Sequence, residues 1–520
     1  MHLSTVALGD TRSFTPSFLD YIQKKESLTR FYHRFPLVEN FKDQIDEKST
    51  SFPQTNRDVL VSVLNGQYKN LIMTDVVKRN ISRLSDKNTF TVTTGHQLNI
   101  FTGPLYFIYK IVTVINACKK LKSIYPGKHF IPVYWMASED HDFAEISYFR
   151  LSGKKYTWAT DQLGAVGRFN PKSLESLLNE IPGETSPFKQ AYTKHDTLSD
   201  AVRYYVNELF GEEGVVVVDA DHRELKKELR HVMTEDIFKN TSKKLVEEKN
   251  AELTTLGYHP QVFARDINFF YLDHQLRSRL EKEGERFQVV DTDISFSLDE
   301  IAKIIESEPE KLSPNVILRP LYQEIILPNL AYVGGPSEVT YWLQLKGVFD
   351  HFHIPFPILM PRNFALVIDA PLQRKFAKTG LEINDLFEEK NSLFKSWVLK
   401  NTHHNLALSE EMKNASRLFD EIRQRAIKID STLGPLVGAE EKRTSKSLEK
   451  IEHKLLKAEK RNHADKLRQI EVVKDALFPG GGLQERTDNF LNFYQQDPQF
   501  IQKLIRHFDP FNFSFHVLTY

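Results

Sequence analysis

The sequence lacks several features that mark particular classes of protein. It contains one cysteine, Cys118, so it can form neither an intrachain disulfide nor a cysteine-rich zinc site. No apolar run reaches the length needed to span a membrane, and the N-terminus shows no charged-then-apolar signal pattern. We therefore expect a soluble protein of a reducing compartment, most simply the cytoplasm.

The sequence also lacks an excess of charge of either sign. Its 69 basic and 69 acidic residues give a formal net charge of +0, which argues against wholesale coating of nucleic acid. The 520 residues exceed what one compact core usually holds, and 41% hydrophobic content with 37 Phe and 19 Tyr supports a sizeable core. We expect several domains, or one domain with large insertions.

A βαβ unit is predicted in the first third of the chain. "FTVTT" (Phe90–Thr94) predicts a strand and Gly95 a turn, after which "TGP" predicts a buried helix with Pro104 at its first position. "FIPVYW" (Phe130–Trp135) predicts a second buried strand. Because the connection is one strand, one helix and one strand, the sheet should be parallel.

Later segments predict more strands and a helical hairpin. "GVVVVDADH" (Gly214–His222) and "FPILMPRN" (Phe356–Asn363) have the composition of buried strands, and Gly- and Pro-punctuated stretches before and between them indicate insertions. From about residue 385 the chain is charged, and its apolar residues recur in steps of three and four, as in heptad seams. Because "DSTLGP" interrupts the seam, we expect an antiparallel coiled-coil hairpin.

These patterns divide the chain into eight parts. In chain order we predict a helical N-terminal layer at 1–85, a first part of the sheet core at 86–150, an insertion at 151–212, core at 213–255, a second insertion at 256–312, core at 313–384, the coiled-coil hairpin at 385–477, and C-terminal helices with a strand packing on the core at 478–520.

Polar runs follow several of the predicted strands, and ligands of open parallel sheets bind outside the carboxyl ends of the strands. The first run, "TGHQLNIFTGP", offers glycine turns and a helix start to a phosphate or carboxylate. It matches neither the GxGxxG nor the P-loop pattern, and plain strand-to-helix topology is the structural alternative. Its candidate binding residues are Gly95, His96, Gln97, Thr102 and Gly103.

The second run places Glu139, Asp140, His141 and Asp142 directly after a buried strand. Crowded carboxylates repel one another, so some should have a raised pKa or share a cation. This arrangement suits a general base, a magnesium ligand or a grip on an amine. The alternative is helix capping combined with ion pairs to Arg or Lys. No four-ligand pattern is present, so zinc is not expected.

The third run combines a glycine turn with a charge in an apolar stretch. Gly334, Gly335 and Ser337 precede a predicted helix that carries Glu338 in its first turn. Arg319 lies in an apolar run, where a charge is costly unless it is paired. It is predicted either to form a buried salt bridge with Glu324 or another acid, or to clamp a substrate carboxylate.

Five blocks of the chain stand out together. They are "TTGHQLNIFTGPLYFIYK", "IPVYWMASEDHDFAEI", "YHPQVFARDINFFY", "SPNVILRPLYQEIILPNLAYVGGPSEVTYW" and "FPGGGLQER". In this order they resemble the blocks of the cysteine-adding enzyme family of bacillithiol biosynthesis. The first reads Gly-His-Gln where many members have Gly-Gln-Gln, which favours Gly95 and Gln97 over His96 as essential residues. The resemblance implies an α/β fold with a Rossmann-like parallel sheet core, connecting-peptide-type insertions and an antiparallel coiled coil used in dimerisation.

The resemblance further implies a ligase that joins the carboxyl group of cysteine to the amine of glucosaminyl malate. Such a reaction needs an activated carboxylate, hence ATP with or without Mg²⁺, bound at the glycine turns. Asp140, His141 or Asp142 would take the proton of the amine. The malate carboxylates would bind cations, and the candidate substrate contacts are Lys110, Arg265, Asn315 and Arg319.

Two other functions remain open at this point. One is a nucleotide-binding sensor or scaffold whose coiled coil recruits partners. The other is a tRNA-linked aminoacylation enzyme, because "KRTSKS" (Lys442–Ser447) resembles a synthetase lysine loop. Zero net charge and the position of that motif in the helical hairpin count against the second, so we expect no nucleic-acid partner.

Overall fold

The computed structural model describes residues 2–520. In chain order the strands are β1 (His2–Val6), β2 (Thr89–His96), β3 (His129–Met136), β4 (Tyr148–Leu151), β5 (Lys154–Thr157), β6 (Val216–Asp219), β7 (Phe269–Asp273), β8 (Leu276–Glu283), β9 (Arg286–Val289), β10 (Ser295–Phe296), β11 (Leu312–Pro314), β12 (Asn329–Gly334), β13 (Ile358–Pro361), β14 (Phe364–Ile368) and β15 (Phe515–Thr519).

Helices cover both faces of the strands and form the far end of the molecule. In chain order they are α1 (Pro16–Ile22), α2 (Asn40–Ser51), α3 (Gln54–Gln67), α4 (Asp75–Arg83), α5 (Tyr106–Ile124), α6 (Phe143–Ile146), α7 (Glu175–Leu178), α8 (Ser186–Lys194), α9 (Leu198–Phe210), α10 (Arg223–Lys227), α11 (Arg230–Lys239), α12 (Thr241–Thr255), α13 (Leu298–Ser307), α14 (Arg319–Ile326), α15 (Pro336–Trp342), α16 (Lys346–His351), α17 (Ala370–Ala377), α18 (Lys390–Asn401), α19 (Ser409–Ile429), α20 (Leu433–Asn462), α21 (Ala464–Leu477), α22 (Leu491–Tyr494) and α23 (Phe500–His507).

The central sheet is parallel and has the strand order β13-β12-β2-β3-β6. The chain enters it at β2, builds outward through β3 and β6, then returns to the other side of β2 with β12 and β13. The order therefore reverses between β2 and β12, which is the switch point of a Rossmann-like sheet. Strand β2 is buried along its whole length, as expected for the centre of such a sheet.

The predicted turn at Gly95 is wrong. Strand β2 runs on to His96, and Gly95 pairs with Trp135 of β3. Glycine usually interrupts strands, so the sequence predicts that the strand ends at Thr94. Here glycine is needed because its neighbours come very close: a Cβ at Gly95 would lie 3.2 Å from Tyr332 Oη.

The predicted helix start at Pro104 is also wrong by two residues. Helix α5 begins at Tyr106, while Ile100–Thr102 forms a short 3₁₀ turn and Thr102 and Gly103 have positive φ angles of 69° and 59°. The Asn489 amide donates to the carbonyls of Phe101 and Gly103, at 2.7 and 2.6 Å, and holds this segment outside the helix.

Two insertions flank the central sheet. The small antiparallel pair β4–β5 lies between β3 and β6 in the chain, and an antiparallel sheet of order β10-β9-β8-β7-β11 lies between β6 and β12. A third sheet, β1-β15-β14, joins both ends of the chain: β15 runs antiparallel to β1 and parallel to β14. The N-terminal part, predicted as helical, thus begins with a strand.

Helices α19 and α20 form the predicted antiparallel hairpin. They are joined at residues 430–432, and Gly434 and Pro435 lie inside the first turn of α20 rather than between the helices. Proline is tolerated there because the first N–H groups of a helix have no intrahelical partner. Over residues 2–520, no helix combines the length and apolar character needed to cross a membrane.

A buried ion pair ties the N-terminal helices to the sheet. Lys48 Nζ of α2 lies 3.3 Å from Glu324 Oε2 of α14, and both side chains are at most 1% exposed. Asn329 of β12 donates to the other carboxylate oxygen at 2.6 Å. Since α14 also carries Arg319, this pair fixes the position of a residue near the switch point.

We predict that Lys48→Met destabilises the protein by about 3–5 kcal/mol, because it leaves the Glu324 carboxylate buried without its cation. The measurement is the free energy of unfolding in urea. The double variant Lys48→Met/Glu324→Gln should recover most of the loss, since the remaining amide carries no charge. Equal losses in both variants would show that packing of Lys48, and not its charge, is the stabilising contribution.

Candidate functional site

A cavity of about 350 Å³ opens at the carboxyl ends of β2, β3 and β12. It therefore lies at the switch point, where Rossmann-like sheets bind ligands. Both charge signs line it: the cationic side chains are Lys110, Arg277, Arg319, Arg362 and Arg486, and the carboxylates are Glu139, Asp140, Glu145 and Glu338. Its volume lies at the lower end of the range of small-molecule sites.

The structure brings most of the residues singled out in the sequence to this cavity. Those that line it are Gly95, His96, Gln97, Lys110, Glu139, Asp140, Asn315, Arg319, Gly335, Ser337 and Glu338. They come from segments more than two hundred residues apart in the chain. The parallel sheet brings them together because the carboxyl ends of its strands share one edge.

Other predicted residues lie outside the lining. Asp142 is exposed and caps α6 by accepting from Glu145 N–H at 3.2 Å, which is the capping alternative considered above. Thr102 and Gly103 belong to the turn held by Asn489, so they offer no helix start to a ligand. Arg265 is an exposed loop residue, and Gly334 ends β12 beneath the Glu338 side chain.

Arg319 does not pair with Glu324. Its Nη1 donates to Gln323 Oε1 at 3.2 Å, while Glu324 pairs with Lys48 instead. The guanidinium carbon lies 5.5 Å from the Tyr332 ring centroid and 5.8 Å from that of Trp135. The salt-bridge alternative for this pair is therefore wrong, and the charge is held by aromatic faces at the floor of the cavity.

An ion pair between Lys110 and Glu338 crosses the switch point. Lys110 Nζ lies 2.5 Å from Glu338 Oε2 and donates to the Gly95 carbonyl at 2.8 Å. The Glu338 carboxylate also accepts from Gly335 N–H at 2.8 Å and from the Tyr332 hydroxyl at 2.6 Å. Burial would raise the pKa of Glu338, but Lys110 and these donors hold it below its ordinary value.

This arrangement changes the prediction for the Gly334–Ser337 turn. The N–H of Gly335, which was expected to face a phosphate, is occupied by the carboxylate of Glu338 on the same helix. A second anion at that point would be repelled. The charge of Lys110 is likewise neutralised, so Lys110 acts on this wall as a structural cation.

Asp140 is held by three donors. Gln97 Nε2 donates to Oδ2 at 2.6 Å, while His141 N–H and Arg277 Nη1 donate to Oδ1 at 2.7 and 3.3 Å. Burial would raise the pKa of the Asp140 carboxyl, but Arg277, Gln97 and the His141 backbone keep it below its ordinary value. Asp140 is thus an ionised carboxylate with a fixed orientation.

His141 is a neutral imidazole beside that carboxylate. Its Nδ1 lies 2.7 Å from Arg277 Nη1, and because a guanidinium cannot accept, Nδ1 is the acceptor. Burial, followed by the charge of Arg277, lowers the pKa of His141 from its ordinary value. The ring is half exposed and does not line the cavity itself.

Glu139 is paired with a lysine of α10, the helix that follows β6. It forms an ion pair with Lys226, whose side chain is completely buried and which also lies 3.6 Å from Asp221. Burial raises the pKa of Glu139, as predicted for a carboxylate of this run, and the cation of Lys226 is shared between Glu139 and Asp221. In residues 2–520, no group of three or more His, Cys, Asp or Glu side chains is placed to hold a metal ion.

Seven charged or tyrosine side chains of the lining were missed in the sequence: Tyr106, Glu145, Arg277, Tyr332, Tyr341, Arg362 and Arg486. Arg277 lies on β8 of the inserted sheet, and nothing in its alternating strand "LRSRLEKE" marks it. Arg362 directly follows β13, so the strand-end rule applied to the last parallel strand could have found it. Arg486 belongs to the quoted block "FPGGGLQER".

The geometry defines an α/β protein of the Rossmann-like type, with its ligand cavity at the switch point and a coiled-coil hairpin attached. The two halves match two family descriptions. Residues 1–363 match "Bacillithiol biosynthesis BshC, N-terminal Rossmann-like domain", and residues 365–520 match "Bacillithiol biosynthesis BshC, C-terminal coiled-coil domain". The chain belongs to the BshC family of bacillithiol biosynthesis, which confirms both the resemblance and the fold class.

Related proteins cover the chain from end to end. Proteins of Christiangramia forsetii and Flavobacterium johnsoniae, each named "Putative cysteine ligase BshC", are 41% identical to it. The first alignment covers 100% of this chain and 99% of the relative, and the second covers 97% of each. A Bacillus pumilus protein of the same name is 28% identical over 93% of this chain and 94% of its own length.

We predict that Arg277→Met raises the pKa of Asp140, because burial is then no longer opposed by the nearest cation. A carboxylate with a lowered folded pKa contributes stability at neutral pH that is lost as pH falls through that pKa. In the variant the folded pKa of Asp140 lies closer to the unfolded value or above it, so less stability should be lost on acidification than in the natural chain. The measurement is the unfolding free energy between about pH 4 and 7.

The double variant Arg277→Met/Asp140→Asn is the control for this prediction. It has no carboxyl group at residue 140, so any pH dependence that Asp140 still contributes in the single variant should disappear. If it persists, another group is responsible for the titration.

Proposed function

We propose that the protein is a ligase that joins the carboxyl group of cysteine to the amine of glucosaminyl malate, after activation of the carboxylate by ATP. The observation that carries this proposal is the mixed-charge cavity at the switch point of a chain in the bacillithiol biosynthesis BshC family. The cysteine-ligase name of relatives aligned over the whole chain supports the same reaction.

The substrates carry charges that the cavity can match. Cysteine is a zwitterion, and glucosaminyl malate adds carboxylates and an amine. Arg319 and Arg486 form no ion pair among residues 2–520, in contrast to Lys110, Arg277 and Arg362. We assign the carboxylates and phosphates of the substrates to Arg319 and Arg486, because their charge is not already compensated.

Asp140 is the residue that we assign to the amine. Its carboxylate is ionised, oriented by three donors and exposed to the cavity. A carboxylate of lowered pKa is a weak base but a good acceptor for an ammonium group. We therefore expect it to orient the attacking nitrogen and to take its proton only as the new C–N bond forms, when that nitrogen becomes more acidic.

Activation by ATP would supply the leaving group that a free carboxylate lacks. Among the lining carboxylates, Glu139 and Glu338 each form an ion pair with a lysine, and Asp140 accepts hydrogen bonds from three donors. These residues do not fit a cation held by the protein alone. In this proposal Mg²⁺ therefore enters with the nucleotide, coordinated mainly by phosphate oxygens.

The test is incubation of the protein with ATP, Mg²⁺, cysteine and glucosaminyl malate, with the thiol product and the released nucleotide followed by mass spectrometry. Product with AMP indicates an acyl-adenylate, and product with ADP an acyl-phosphate. Nucleotide binding without any product would contradict the ligase and favour a nucleotide sensor.

We predict that Asp140→Asn lowers the rate of product formation by about a hundredfold or more, because the amide neither binds an ammonium strongly nor accepts its proton. The melting temperature should change little, since the amide oxygen can still accept the hydrogen bonds from His141 N–H and Arg277 Nη1. Asp142→Asn is the matched control. That amide can still cap α6, and we expect less than about a threefold effect.

We also propose that the coiled-coil hairpin, residues 385–477, makes the protein a homodimer. Its two long helices expose apolar side chains that a single chain leaves uncovered: Leu418, Ile422, Ile427, Ile429, Leu436, Ile451 and Leu455 are between 37% and 82% exposed. An apolar stripe of this kind on a charged helix pair is typical of helix association.

We predict that Ile422→Lys/Ile429→Lys converts the dimer to a monomer in light scattering, because it places two charges in the apolar stripe. Gln424→Lys on the same helix adds a lysine at an exposed polar position and should leave the mass unchanged. A mass that stays dimeric in the double variant would remove this stripe from the interface.

A further inference from the structure

One wall of the cavity is built around the Tyr106 ring. The His96 ring stacks on it with centroids 5.2 Å apart, and the Arg362 guanidinium lies 5.1 Å from the same centroid. Arg486 lines the cavity beside them and influences the Tyr106 hydroxyl electrostatically. None of the roles assigned above uses His96 or Arg362.

The hydrogen bonds of His96 determine where its proton lies. The ring is 9% exposed, and Nδ1 accepts from Gln97 N–H at 2.8 Å. Nδ1 is therefore unprotonated, and a neutral ring must carry its proton on Nε2. No atom of residues 2–520 forms a hydrogen bond with Nε2. Burial, followed by the charges of Lys110 and Arg362, lowers the pKa of His96 well below its ordinary value.

Arg362 also has an N–H group that makes no hydrogen bond within residues 2–520. The side chain is 3% exposed; Nη1 donates to Asn363 O at 2.9 Å, and Nη2 to Glu485 Oε1 at 2.6 Å. Within residues 2–520, Nε has no partner. This Nε atom lies close to the Gly334–Ser337 turn at the cavity, since a Cβ atom added to Gly335 would be 3.9 Å from it.

Two buried N–H donors without acceptors in one wall need a physical reason. Each costs about 1–3 kcal/mol when it is left unsatisfied, and most buried polar groups of native proteins have a partner. Both donors belong to side chains that line the same cavity and touch the same ring. A ligand oxygen is the acceptor that would satisfy them.

We propose that His96 Nε2–H and Arg362 Nε–H, together with the guanidinium of Arg486, form a subsite for the anionic oxygens of a substrate, either carboxylate or phosphate. The proposal rests on the proposed function and names a substrate contact within it. Tyr106, which is partly exposed and lies against both groups, must shift to admit the ligand. His96 acts as a neutral donor and does not exchange its proton with substrate.

The proposal is tested by calorimetric titration of the intact protein with malate as the dicarboxylate probe and pyrophosphate as the phosphate probe. His96→Leu removes the Nε2–H donor and should weaken, about tenfold, the binding of whichever of the two probes occupies the subsite. His96→Gln can still present an N–H and should lose less than about threefold. Arg486→Met, at an exposed residue, should also weaken that probe.

The two probes identify which substrate group the subsite takes. If only malate binds more weakly, the subsite takes the carboxylates of glucosaminyl malate. If only pyrophosphate binds more weakly, it takes the phosphates of the nucleotide. Unchanged binding of both probes in His96→Leu and in Arg486→Met overturns the subsite. His96→Leu should fold at least as stably as the natural chain, because it removes a buried unsatisfied donor.

Measuring the probe affinities at several pH values distinguishes a neutral His96 donor from a His96 cation. The charged or titratable groups facing His96 are Lys110 and Tyr106 on α5 and Arg362 after β13. If His96 is neutral throughout, the ratio of the affinities of the natural chain and His96→Gln stays constant between about pH 6 and 8. A ratio that falls as pH rises would show that His96 binds as an imidazolium.

These measurements do not depend on catalysis. If the natural chain ligates cysteine while both variants bind the probes normally, the subsite is wrong and the ligase stands. If the variants lose binding while the natural chain forms no product, the subsite stands and the ligase is wrong.

Discussion

The ion pair between Lys110 and Glu338 is the constraint on which the arrangement of the cavity depends. It joins the helix that follows β2 to the helix that follows β12, and so spans the point where the strand order reverses. Lys110 also holds the Gly95 carbonyl, and Glu338 holds the N-terminus of its own helix. A buried pair of this kind needs further hydrogen bonds to offset desolvation, and here each partner has them.

Two other carboxylates at the switch point are also paired. Lys226 of α10 pairs with Glu139, and Arg277 of the inserted sheet reaches Asp140. The central sheet alone would present crowded carboxylates at the end of β3. The helix after β6 and the inserted sheet therefore each contribute a cation that pairs with a carboxylate at this edge, while Arg319 and Arg486 form no ion pair among residues 2–520.

The sequence predicts the sheet well because its signals are local. Buried strands of β-branched and aromatic residues, and polar residues directly after them, follow from periodicity and from the geometry of parallel sheets. Gly95 shows where such reasoning stops: its role depends on Tyr332 and Arg319, which approach from another strand and another helix. Arg277 is a contact between distant segments, so no local pattern marks it. The turn at Thr102 depends in the same way on Asn489.

Five buried polar atoms of the cavity lining have no hydrogen-bond partner among residues 2–520: His96 Nε2, Gln97 Oε1, Glu139 Oε1, Arg319 Nη2 and Arg362 Nε. Glu139 is nevertheless ion-paired with Lys226, and Asp140, Glu338 and Lys110 have identified partners. The donors of His96 and Arg362 lie on one wall, and both side chains are nearly inaccessible. A folded protein can keep a buried donor without an acceptor only when the packing around it offsets the cost of desolvating that donor. It becomes useful when a ligand supplies the missing oxygen, because no reorganisation of the donor is then required.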